Sequence, residues 1–411
     1  MAKMLWGKIY FKETYAGRLQ EDPGGRVVFT YDASYLEGDQ PAIAHTLPLR
    51  PEPYISEGGL PPFFDNLVAE GWLKSAQARA LGVNPNNRFA LLLGFGFDLA
   101  GAVSVIDPEA QEHKALDHAD EATLAALLGR ASLSGIQRKL LVVPDGKSYR
   151  PVRPGELSTY IAKLPSGNLA DIIELEYLTA QAIRRLLPGD DVVDMGIVTI
   201  PSIKEQALIV PRFDRTPTAK RIHFEEFNQL LGRHSGDEKY EGAYEDMGRF
   251  ILDTPGCIPA EADRLMQRIL ASLLMGNTDA HFKNFAMFHT RDGLRLTPSY
   301  DLVASSFYKE YQSIALSVAG IESLAIGKLK PKHLLEMGKG FGVGVDAIVA
   351  AVETIGERLS AAQEAISKSD VGPKRLRDEL INRMEKRWNG SFKLTGQLLS
   401  KRQDKGVRRK S

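Results

Sequence analysis

The order in which strand and helix signals follow one another constrains the fold of this 411-residue chain more than any other feature of its sequence. The first hundred residues contain the strand-like segments LWGKIYF, GRVVFTY and AIAHTLPL, separated by the turn sequences PGG and GDQP. A helix is predicted from Phe63 to Leu81. Further strand signals, TYIAKLP, GIVTI and ALIV, surround a predicted helix from Asp171 to Leu186. After Arg215 the pattern becomes helical.

The segment after Arg215 shows the apolar spacing of amphipathic helices. Helices are predicted for IHFEEFNQLLG, Ala243–Leu252 and Ala262–Met275, and a further helical region for Lys330 to about Trp388. A β-rich piece carrying one helix, followed by a helical piece, is the segment order of an α+β, two-lobed protein-kinase-like fold. The predicted domains are a β-rich N-terminal subdomain (1–107), a linker (108–123), a kinase N-lobe (124–215), a helical C-lobe (216–390) and a basic tail (391–411).

The composition is that of an ordinary globular protein, with 43% hydrophobic and 25% charged residues. The formal net charge is zero, so no net field attracts nucleic acid or an anionic membrane. Residues 386–411 carry nine Lys or Arg residues and one acidic residue, Asp404, which is typical of a solvated terminus; contact with nucleic acid or an acidic partner is the alternative. Cys257 is the only cysteine, which excludes an intrachain disulfide and a CxxC metal site. Neither a signal-peptide pattern nor a membrane-spanning apolar run is present, so we expect a cytoplasmic location and no membrane partner.

The candidate chemistry lies in GNTDAHFKNF, residues 276–285, which directly follows an apolar helical pattern. Asp279 and Asn284 have the sequence offset found in the catalytic loop of protein kinases. In that loop the aspartate accepts the proton of the substrate hydroxyl and the asparagine oxygen holds Mg²⁺. Because Asp and Asn are common loop residues and Gly276 suits a helix C-terminus, a structural cap is the alternative.

A predicted hairpin follows this loop and adds a third residue to the site. FAMFH and LRLTP are strand-like and flank TRDG, and Asp-Gly is a strong hairpin signal. With Asp292 and Gly293 as the two-residue turn, Asn284 and Asp301 are predicted to be directly opposite, with Cβ atoms about 5 Å apart. A carboxylate and an amide oxygen at that separation can share one hard cation, which predicts a Mg²⁺ site at Asn284 and Asp301.

Two basic segments are candidates for binding the phosphates of a nucleotide. Lys163 lies on the predicted strand TYIAKLP, and either Glu174 or Glu176 of the following helix is its candidate partner. A strand lysine that faces solvent is the alternative. The loop SLSGIQRK precedes another strand, so its backbone N–H groups are candidates for covering phosphates, with charge added by Arg138 or Lys139.

Taken in order, SLSGIQRK, YIAKLPSG, ELEYLTAQAI, VPRFDR, NTDAHFKN and LTPSYDL closely resemble the HipA family, the serine/threonine kinase toxins of bacterial toxin–antitoxin pairs. FFDNL, near residue 63, is similar to the N-terminal segment of that family. The resemblance covers most of residues 1–330. It implies a HipA-like, two-lobed kinase fold that uses ATP and Mg²⁺.

The resemblance also implies a role for each matching position. Asp279 would be the catalytic base, Asn284 and Asp301 the Mg²⁺ ligands, and Lys163 a ligand of the nucleotide phosphates. The hinge beside adenine would be Pro211–Phe213. The residues that would contact ATP are Ser134, Gly135, Ile136, Gln137, Arg138, Lys139, Lys163, Pro211, Arg212, Phe213, His281, Phe282, Lys283, Asn284, Tyr300 and Asp301.

In HipA-like kinases a serine at the head of the phosphate loop is autophosphorylated, which corresponds here to Ser132 or Ser134. A phosphate dianion there would repel the ATP phosphates, expel the loop and shut the enzyme off. Two serines that only donate hydrogen bonds in a turn are the alternative. Because Pro211 lacks an N–H group, an adenine contact there would use its carbonyl or the amide of Phe213.

The resemblance further implies a HipB-like helix-turn-helix antitoxin as partner, with DNA contacted only through that antitoxin. The protein substrate would be an aminoacyl-tRNA synthetase or another translation protein, whose phosphorylation would inhibit growth. Two other functions compete: a small-molecule kinase of similar lobed build, and a catalytically silent corepressor bound to the antitoxin. The presence of Lys163, Asp279, Asn284 and Asp301 together favours an active kinase.

Overall fold

The computed structural model describes residues 4–109, 121–128 and 137–397 of the chain. The chain forms two compact units, each built from two stretches of sequence. We call the first, Met1–Ser166 with Asp194–Lys239, the β-rich unit, and the second, Gly167–Val193 with Tyr240–Ser411, the helical unit. The helix Ile172–Leu186, predicted inside the kinase N-lobe, belongs to the helical unit. These two units are defined by their compactness, whereas the predicted limits are those of family domains. The predicted domain limits therefore remain predictions.

One antiparallel sheet of the β-rich unit has the strand Trp6–Phe11 between Thr14–Glu21 and Val103–Ile106. Alternate residues of Trp6–Phe11 and of Val27–Tyr31 are buried, as expected for strands with one face against a core. The predicted strands LWGKIYF and GRVVFTY are therefore confirmed. The strand order is Tyr54–Ser56, Val27–Tyr31, Thr14–Glu21, Trp6–Phe11 and Val103–Ile106.

A second antiparallel sheet of this unit has the short strand Tyr160–Lys163 at its centre. Its neighbours are Lys139–Asp145 and Glu205–Pro211, which are both rich in buried aliphatic residues. Leu140, Ala162 and other apolar residues of the three strands share one core cluster. The predicted strands TYIAKLP, GIVTI and ALIV are confirmed. The strand order is Ser148–Pro151, Lys139–Asp145, Tyr160–Lys163, Glu205–Pro211 and Gly196–Ile200.

Three predictions for the β-rich unit were wrong in detail. The helix predicted from Phe63 to Leu81 is broken, because Gly71 has a φ of 58° that a continuing right-handed helix cannot contain. AIAHTLPL forms only an isolated bridge instead of a strand. The segment IHFEEFNQLLG begins as an extended strand, and its Glu225 accepts the N–H of His45 at 2.6 Å. The helices of this unit in the described ranges are Ala33–Glu37, Pro62–Asp65, Gly71–Leu81, Arg88–Phe95, Glu121–Leu128 and Phe227–Leu230.

The helical unit is organised around the helix Ala260–Met275. Its residues Leu265, Ile269 and Leu273 are buried. Among the described residues, it packs against the helices Ile172–Leu186, Tyr244–Asp253, Val345–Glu357 and Lys374–Arg387. The region predicted as helical from Lys330 to Trp388 consists of four separate helices. Within the described residues, no helix combines the length and apolar character needed to cross a membrane. The α-helices of the unit are Ile172–Leu186, Tyr244–Asp253, Ala260–Met275, Pro331–Gly340, Val345–Glu357, Leu359–Ser367 and Lys374–Arg387.

The helical unit also contains the predicted hairpin, formed by Ala286–Thr290 and Gly293–Leu296. Its register differs from the prediction, because Thr290 pairs with Gly293 and the turn residues are Arg291 and Asp292. Gly293 has a φ of 113°, and a Cβ atom there would collide with the carbonyl of Gly256. A tertiary contact, rather than the Asp-Gly turn signal, therefore sets the register.

Candidate active site

The predicted catalytic loop begins where the helix Ala260–Met275 ends, at Gly276. Gly276 has a φ of 83°, and its N–H donates to the carbonyl of Leu273 at 3.1 Å, which closes the helix. A Cβ atom at this position would collide with Ser306 Oγ and would lie 2.7 Å from Cζ of Arg387. Glycine is therefore required by the left-handed backbone and by the close packing.

The guanidinium group of Arg387 holds the last carbonyls of this helix. Its Nε donates to the carbonyl of Leu274 at 2.6 Å, and its Nη2 donates to that of Met275 at 2.7 Å. Burial lowers the pKa of Arg387 to about 10, and the charge of Arg383 adds to the effect. Because a helix C-terminus carries partial negative charge, this cation stabilises the point from which the loop departs.

The backbone of the loop is held by two hydroxyl groups. Ser305 Oγ accepts the N–H of Thr278 at 2.8 Å and the N–H of Asp279 at 3.1 Å. The buried Tyr244 donates its hydroxyl to the carbonyl of Ala280 at 2.8 Å. Burial raises the pKa of Tyr244 and the negative charge of Asp279 raises it further, so this hydroxyl stays protonated and remains a donor.

Asp279 is one of two residues of this loop that are partly exposed; the other is Asn284. Asp279 is partly exposed, whereas Thr278 and Ala280 on either side are buried. Its Oδ1 accepts a hydrogen bond from the hydroxyl of Tyr240 at 3.2 Å. A partly exposed carboxylate on a fixed backbone is suited to accept a proton from a bound hydroxyl group.

Asn284 and Asp301 lie in contact, as predicted, but not through the strand pairing that was predicted to bring them together. Asn284 ends the 3-10 turn Phe282–Asn284, and its Nδ2 donates to Asp301 Oδ2 at 3.0 Å. Its Oδ1 accepts the N–H of His281 at 2.9 Å. Asp301 follows the hairpin with a φ of 56°, a left-handed conformation in which Asp is enriched. Two turns, rather than paired strands, therefore place the two side chains.

The other predicted residues of this region lie around the same turn. His281 Nδ1 accepts the N–H of Lys283 at 3.3 Å, and Tyr300 donates its hydroxyl to the carbonyl of Lys283 at 2.7 Å. Phe282 is fully buried, so its side chain anchors the turn. The helical unit therefore brings together Asp279 and Asn284 with all the residues from 281 to 301 that were predicted to form the site.

The predicted phosphate-binding lysines lie in the β-rich unit. Lys163 is only 5% exposed, and it is paired directly with Lys139 on one neighbouring strand and Leu208 on the other. Two like charges in directly paired positions repel each other, and an anion beside both would offset that repulsion. Gln137 Nε2 donates to the carbonyl of Leu164 at 2.8 Å, which connects the end of the predicted phosphate loop to the strand of Lys163.

The rest of the predicted phosphate loop is only partly described. Arg138 Nη1 lies 3.6 Å from Glu205 Oε1, and both side chains are about one-third exposed. A pair this open to solvent contributes little to stability. Four predicted residues lie outside the described part of the chain: Ser132, Ser134, Gly135 and Ile136.

The segment Pro211–Phe213, predicted to lie beside adenine, is held by a buried ion cluster. Arg212 Nη1 donates to Asp98 Oδ1 at 3.0 Å, and its Nη2 donates to Asp214 Oδ2 at 2.7 Å. Arg215 donates to the same two carboxylates, at 2.7 Å each. The side chain of Arg212 is thus committed to the cluster, and its N–H donates to the carbonyl of Thr159 at 2.9 Å.

Burial distinguishes the two glutamates that the sequence left open as partners of Lys163. Glu176 is fully buried in the helix Ile172–Leu186, whereas Glu174 of the same helix is partly exposed. A buried carboxylate requires hydrogen bonds or a cation, whereas a partly exposed one can be hydrated by water.

Several residues that support the loop were missed in the sequence. Tyr240, Ser305 and Arg387 are remote from Asp279 along the chain, and no local spacing connects them to it. Tyr244 belongs to the buried face of a helix that was predicted as Ala243–Leu252, but helical periodicity does not distinguish a hydrogen-bonding tyrosine from a core aromatic residue.

Comparison with protein-family models gives two matches that cover separate parts of the chain. Residues 7–106 match the HipA N-terminal domain, and residues 131–366 match the HipA-like C-terminal domain. The second match alone covers more than half of the chain.

Similar curated proteins include putative kinase Y4mE of Sinorhizobium fredii, which is 30% identical over 88% of this chain and 90% of that protein. The serine/threonine-protein kinase toxin HipA of Shewanella oneidensis is 27% identical over 73% of this chain and 75% of the toxin. A solved complex of Shewanella oneidensis HipA, HipB and operator DNA contains a chain of the same fold, with a TM-score of 0.77 and 22% identity over 95% of this chain and 99% of that one. The fold is therefore the predicted α+β, two-lobed kinase-like fold.

Proposed function

Because the chain belongs to the HipA family of serine/threonine kinases, we propose that it transfers the γ-phosphoryl group of ATP to serine or threonine hydroxyls of a protein. The observation that carries this proposal is the 3.0 Å contact between Asp301 and Asn284, a residue of the loop that also presents Asp279. Asp279 is proposed as the base, Asn284 and Asp301 as Mg²⁺ ligands, and Lys163 as a ligand of the phosphates. Glu176 is proposed as the counter-ion of Lys163.

The donor atoms proposed for the metal fit Mg²⁺. A carboxylate oxygen of Asp301 and the amide oxygen of Asn284 are hard ligands, and Mg²⁺ commonly takes one or two such groups together with waters and substrate phosphates. Asn284 Oδ1 accepts one hydrogen bond, from the N–H of His281 at 2.9 Å, and an amide oxygen has a second lone pair that a cation could use. Asn284 and Asp301 would hold the ion, whose positive charge would offset the charge of the ATP phosphates.

The proposed transfer consists of one substitution at phosphorus and one proton transfer. The acceptor hydroxyl oxygen forms a bond to the γ-phosphorus, and the bond from that phosphorus to the bridging oxygen of ADP breaks, with its electron pair remaining on ADP. The hydroxyl proton passes to the carboxylate of Asp279. Lys163 and Lys139 would stabilise the charge on the phosphate oxygens.

Regulation and partners are proposed from the family. Autophosphorylation at Ser132 or Ser134 would place a dianion in the phosphate loop and oppose ATP binding. A HipB-like antitoxin is the proposed partner and would supply the DNA contact; the solved HipA–HipB–operator complex of the relative supports this. The proposed substrate is an aminoacyl-tRNA synthetase or another translation protein in the cytoplasm. The domain limits given above are proposed on the same basis.

Intact-mass measurement after incubation with ATP and Mg²⁺ tests the kinase assignment. We expect the wild type to gain the mass of a phosphoryl group, which peptide mapping places at Ser132 or Ser134, and Asp279→Asn to gain none. Asp292→Asn is a matched control, because Asp292 is an exposed carboxylate in the hairpin turn of the same unit. Equal phosphorylation of Asp279→Asn and the wild type would contradict the assignment. Phosphorylation of an alcohol metabolite without autophosphorylation would instead identify a small-molecule kinase.

A further inference from the structure

The phenol of Tyr240 contacts the carboxylate proposed as the catalytic base. Tyr240 Oη donates to Asp279 Oδ1 at 3.2 Å, and the tyrosine is 37% exposed. This distance is at the long end for a hydroxyl donor, as is common for catalytic hydrogen bonds before a substrate binds. A ligand that approaches Asp279 from solvent therefore meets a carboxylate with one oxygen already engaged.

The ring of Tyr240 is held independently of its hydroxyl. It packs edge-on against the imidazole of His281, with ring centroids 5.0 Å apart and an interplanar angle of 82°. His281 is buried, and its Nδ1 accepts the N–H of Lys283 at 3.3 Å. Edge-to-face aromatic packing contributes to stability without the hydroxyl, so a phenylalanine would keep the same position.

The main chain of Asp279 is also held without help from Tyr240. Its N–H donates to Ser305 Oγ at 3.1 Å and to Asn277 Oδ1 at 3.2 Å, and Tyr244 holds the carbonyl of the next residue. Removal of the Tyr240 hydroxyl would therefore leave the loop in place. Its direct effect would be on the rotation of the Asp279 carboxylate.

We propose that Tyr240 is a positioning residue for the phosphoryl acceptor, an inference that rests on the proposed kinase function. The phenol holds Oδ1 of Asp279 and so restricts the rotation of the carboxylate that would accept the proton of the acceptor hydroxyl. A phenol donating to a carboxylate makes a charge-assisted hydrogen bond, and the 3.2 Å separation leaves room for this bond to shorten when a substrate binds. Tyr240 itself exchanges no proton with the substrate in this scheme; it orients the group that does.

Steady-state kinetics of Tyr240→Phe tests this role, with autophosphorylation and a generic serine peptide as readouts. We expect kcat to fall about 10-fold or more, the effect of losing one hydrogen bond to a charged group. The KM for ATP and the affinity for Mg²⁺–ATP, measured by calorimetry, should stay within about twofold. Replacement of Tyr240 by 4-aminophenylalanine, which keeps the ring and restores an N–H donor, should recover part of kcat.

Tyr308→Phe is the matched control, because it deletes one partly exposed phenol that donates to the carbonyl of Ala170 at 2.8 Å in the same unit. Its kcat should equal that of the wild type. An unchanged or higher kcat in Tyr240→Phe would overturn the inference alone and leave the kinase function standing. A wild type that binds Mg²⁺–ATP but transfers no phosphate would overturn the proposed function and this inference with it.

Discussion

Replacement of Asp98 by asparagine removes one negative charge from a buried cluster of two carboxylates and two guanidinium groups. Asp98 and Asp214 each accept hydrogen bonds from Arg212 and Arg215, and all four side chains are at most 6% exposed. Asp98 also accepts the N–H of Ser158 at 2.9 Å and its hydroxyl at 2.8 Å. The asparagine would keep an acceptor oxygen but would leave one guanidinium charge uncompensated.

The size of the effect follows from the pKa of Asp98. Burial acts to raise this pKa, but the charges of Arg212 and Arg215 and the N–H of Ser158 together outweigh burial and hold the pKa at about 2, against an ordinary value of 3.8. At about 1.36 kcal/mol per pKa unit, the charged form is stabilised by roughly 2 kcal/mol at neutral pH. Breaking a buried ion pair from one side costs about 3–5 kcal/mol. We therefore expect Asp98→Asn to lower the free energy of unfolding of the β-rich unit by about 3 kcal/mol.

The same pKa gives the pH dependence. Because the folded-state pKa is lower than the unfolded value, the contribution of Asp98 is fully present above the unfolded value of 3.8 and is lost as the pH falls towards 2. The difference in stability between wild type and Asp98→Asn should therefore shrink across this acid range. Between about pH 6 and pH 8 the difference should stay constant, because Asp98 does not titrate there.

Urea unfolding followed by tryptophan fluorescence measures this effect. In a Trp388→Phe background the emission comes from Trp6 and Trp72, which both belong to the β-rich unit. Glu156→Gln is the control, because Arg150 binds Glu156 with two 2.8 Å hydrogen bonds and also lowers its pKa to about 2, but the pair is about one-third exposed. Solvent screening limits such a pair to about 0–1 kcal/mol. Equal losses of stability in the two variants would refute the reasoning.

Two further substitutions test the support of the catalytic loop. Gly276→Ala should abolish autophosphorylation and lower the midpoint of thermal unfolding, because the added Cβ would collide with Ser306 and Arg387 and because φ is 83°. Gly344→Ala is the control, since a Cβ there would meet nothing within 4 Å and φ is −63°. It should leave both autophosphorylation and the unfolding midpoint unchanged. Arg387→Met should cost about 1–3 kcal/mol of stability by calorimetry, because two buried carbonyls lose their donor. A full retention of stability in Arg387→Met would show that these carbonyls find other donors.

The sequence predicted the central pair of the site through an argument that was only partly right. The Asp-to-Asn offset in GNTDAHFKNF and the later Asp301 identified residues that lie together. The strand pairing offered as the reason was wrong, because the hairpin turn is Arg291-Asp292 and not Asp292-Gly293. Gly293 instead packs against the carbonyl of Gly256, where a Cβ atom would collide. Local turn preferences were overruled here by a contact between segments that are distant in sequence.

The other residues that the sequence did not predict were missed for the same physical reason. Strands and amphipathic helices were found where one face is regularly buried, as in Ile172–Leu186. Periodicity carries no information about which polar side chain reaches a distant backbone group, so Ser305, Tyr240 and Arg387 were not found. The commitment of Arg212 to Asp98 was hidden for the same reason, since the two residues meet only after the β-rich unit has folded.

A crystal of the protein with Mn²⁺ and a non-hydrolysable ATP analogue would test the central claim most directly. The account predicts an anomalous peak for Mn²⁺ within about 2.2 Å of a carboxylate oxygen of Asp301 and of the amide oxygen of Asn284, with phosphate oxygens completing the coordination. Nucleotide bound with its metal held by other side chains, and with Asp301 and Asn284 still bonded only to each other, would contradict it.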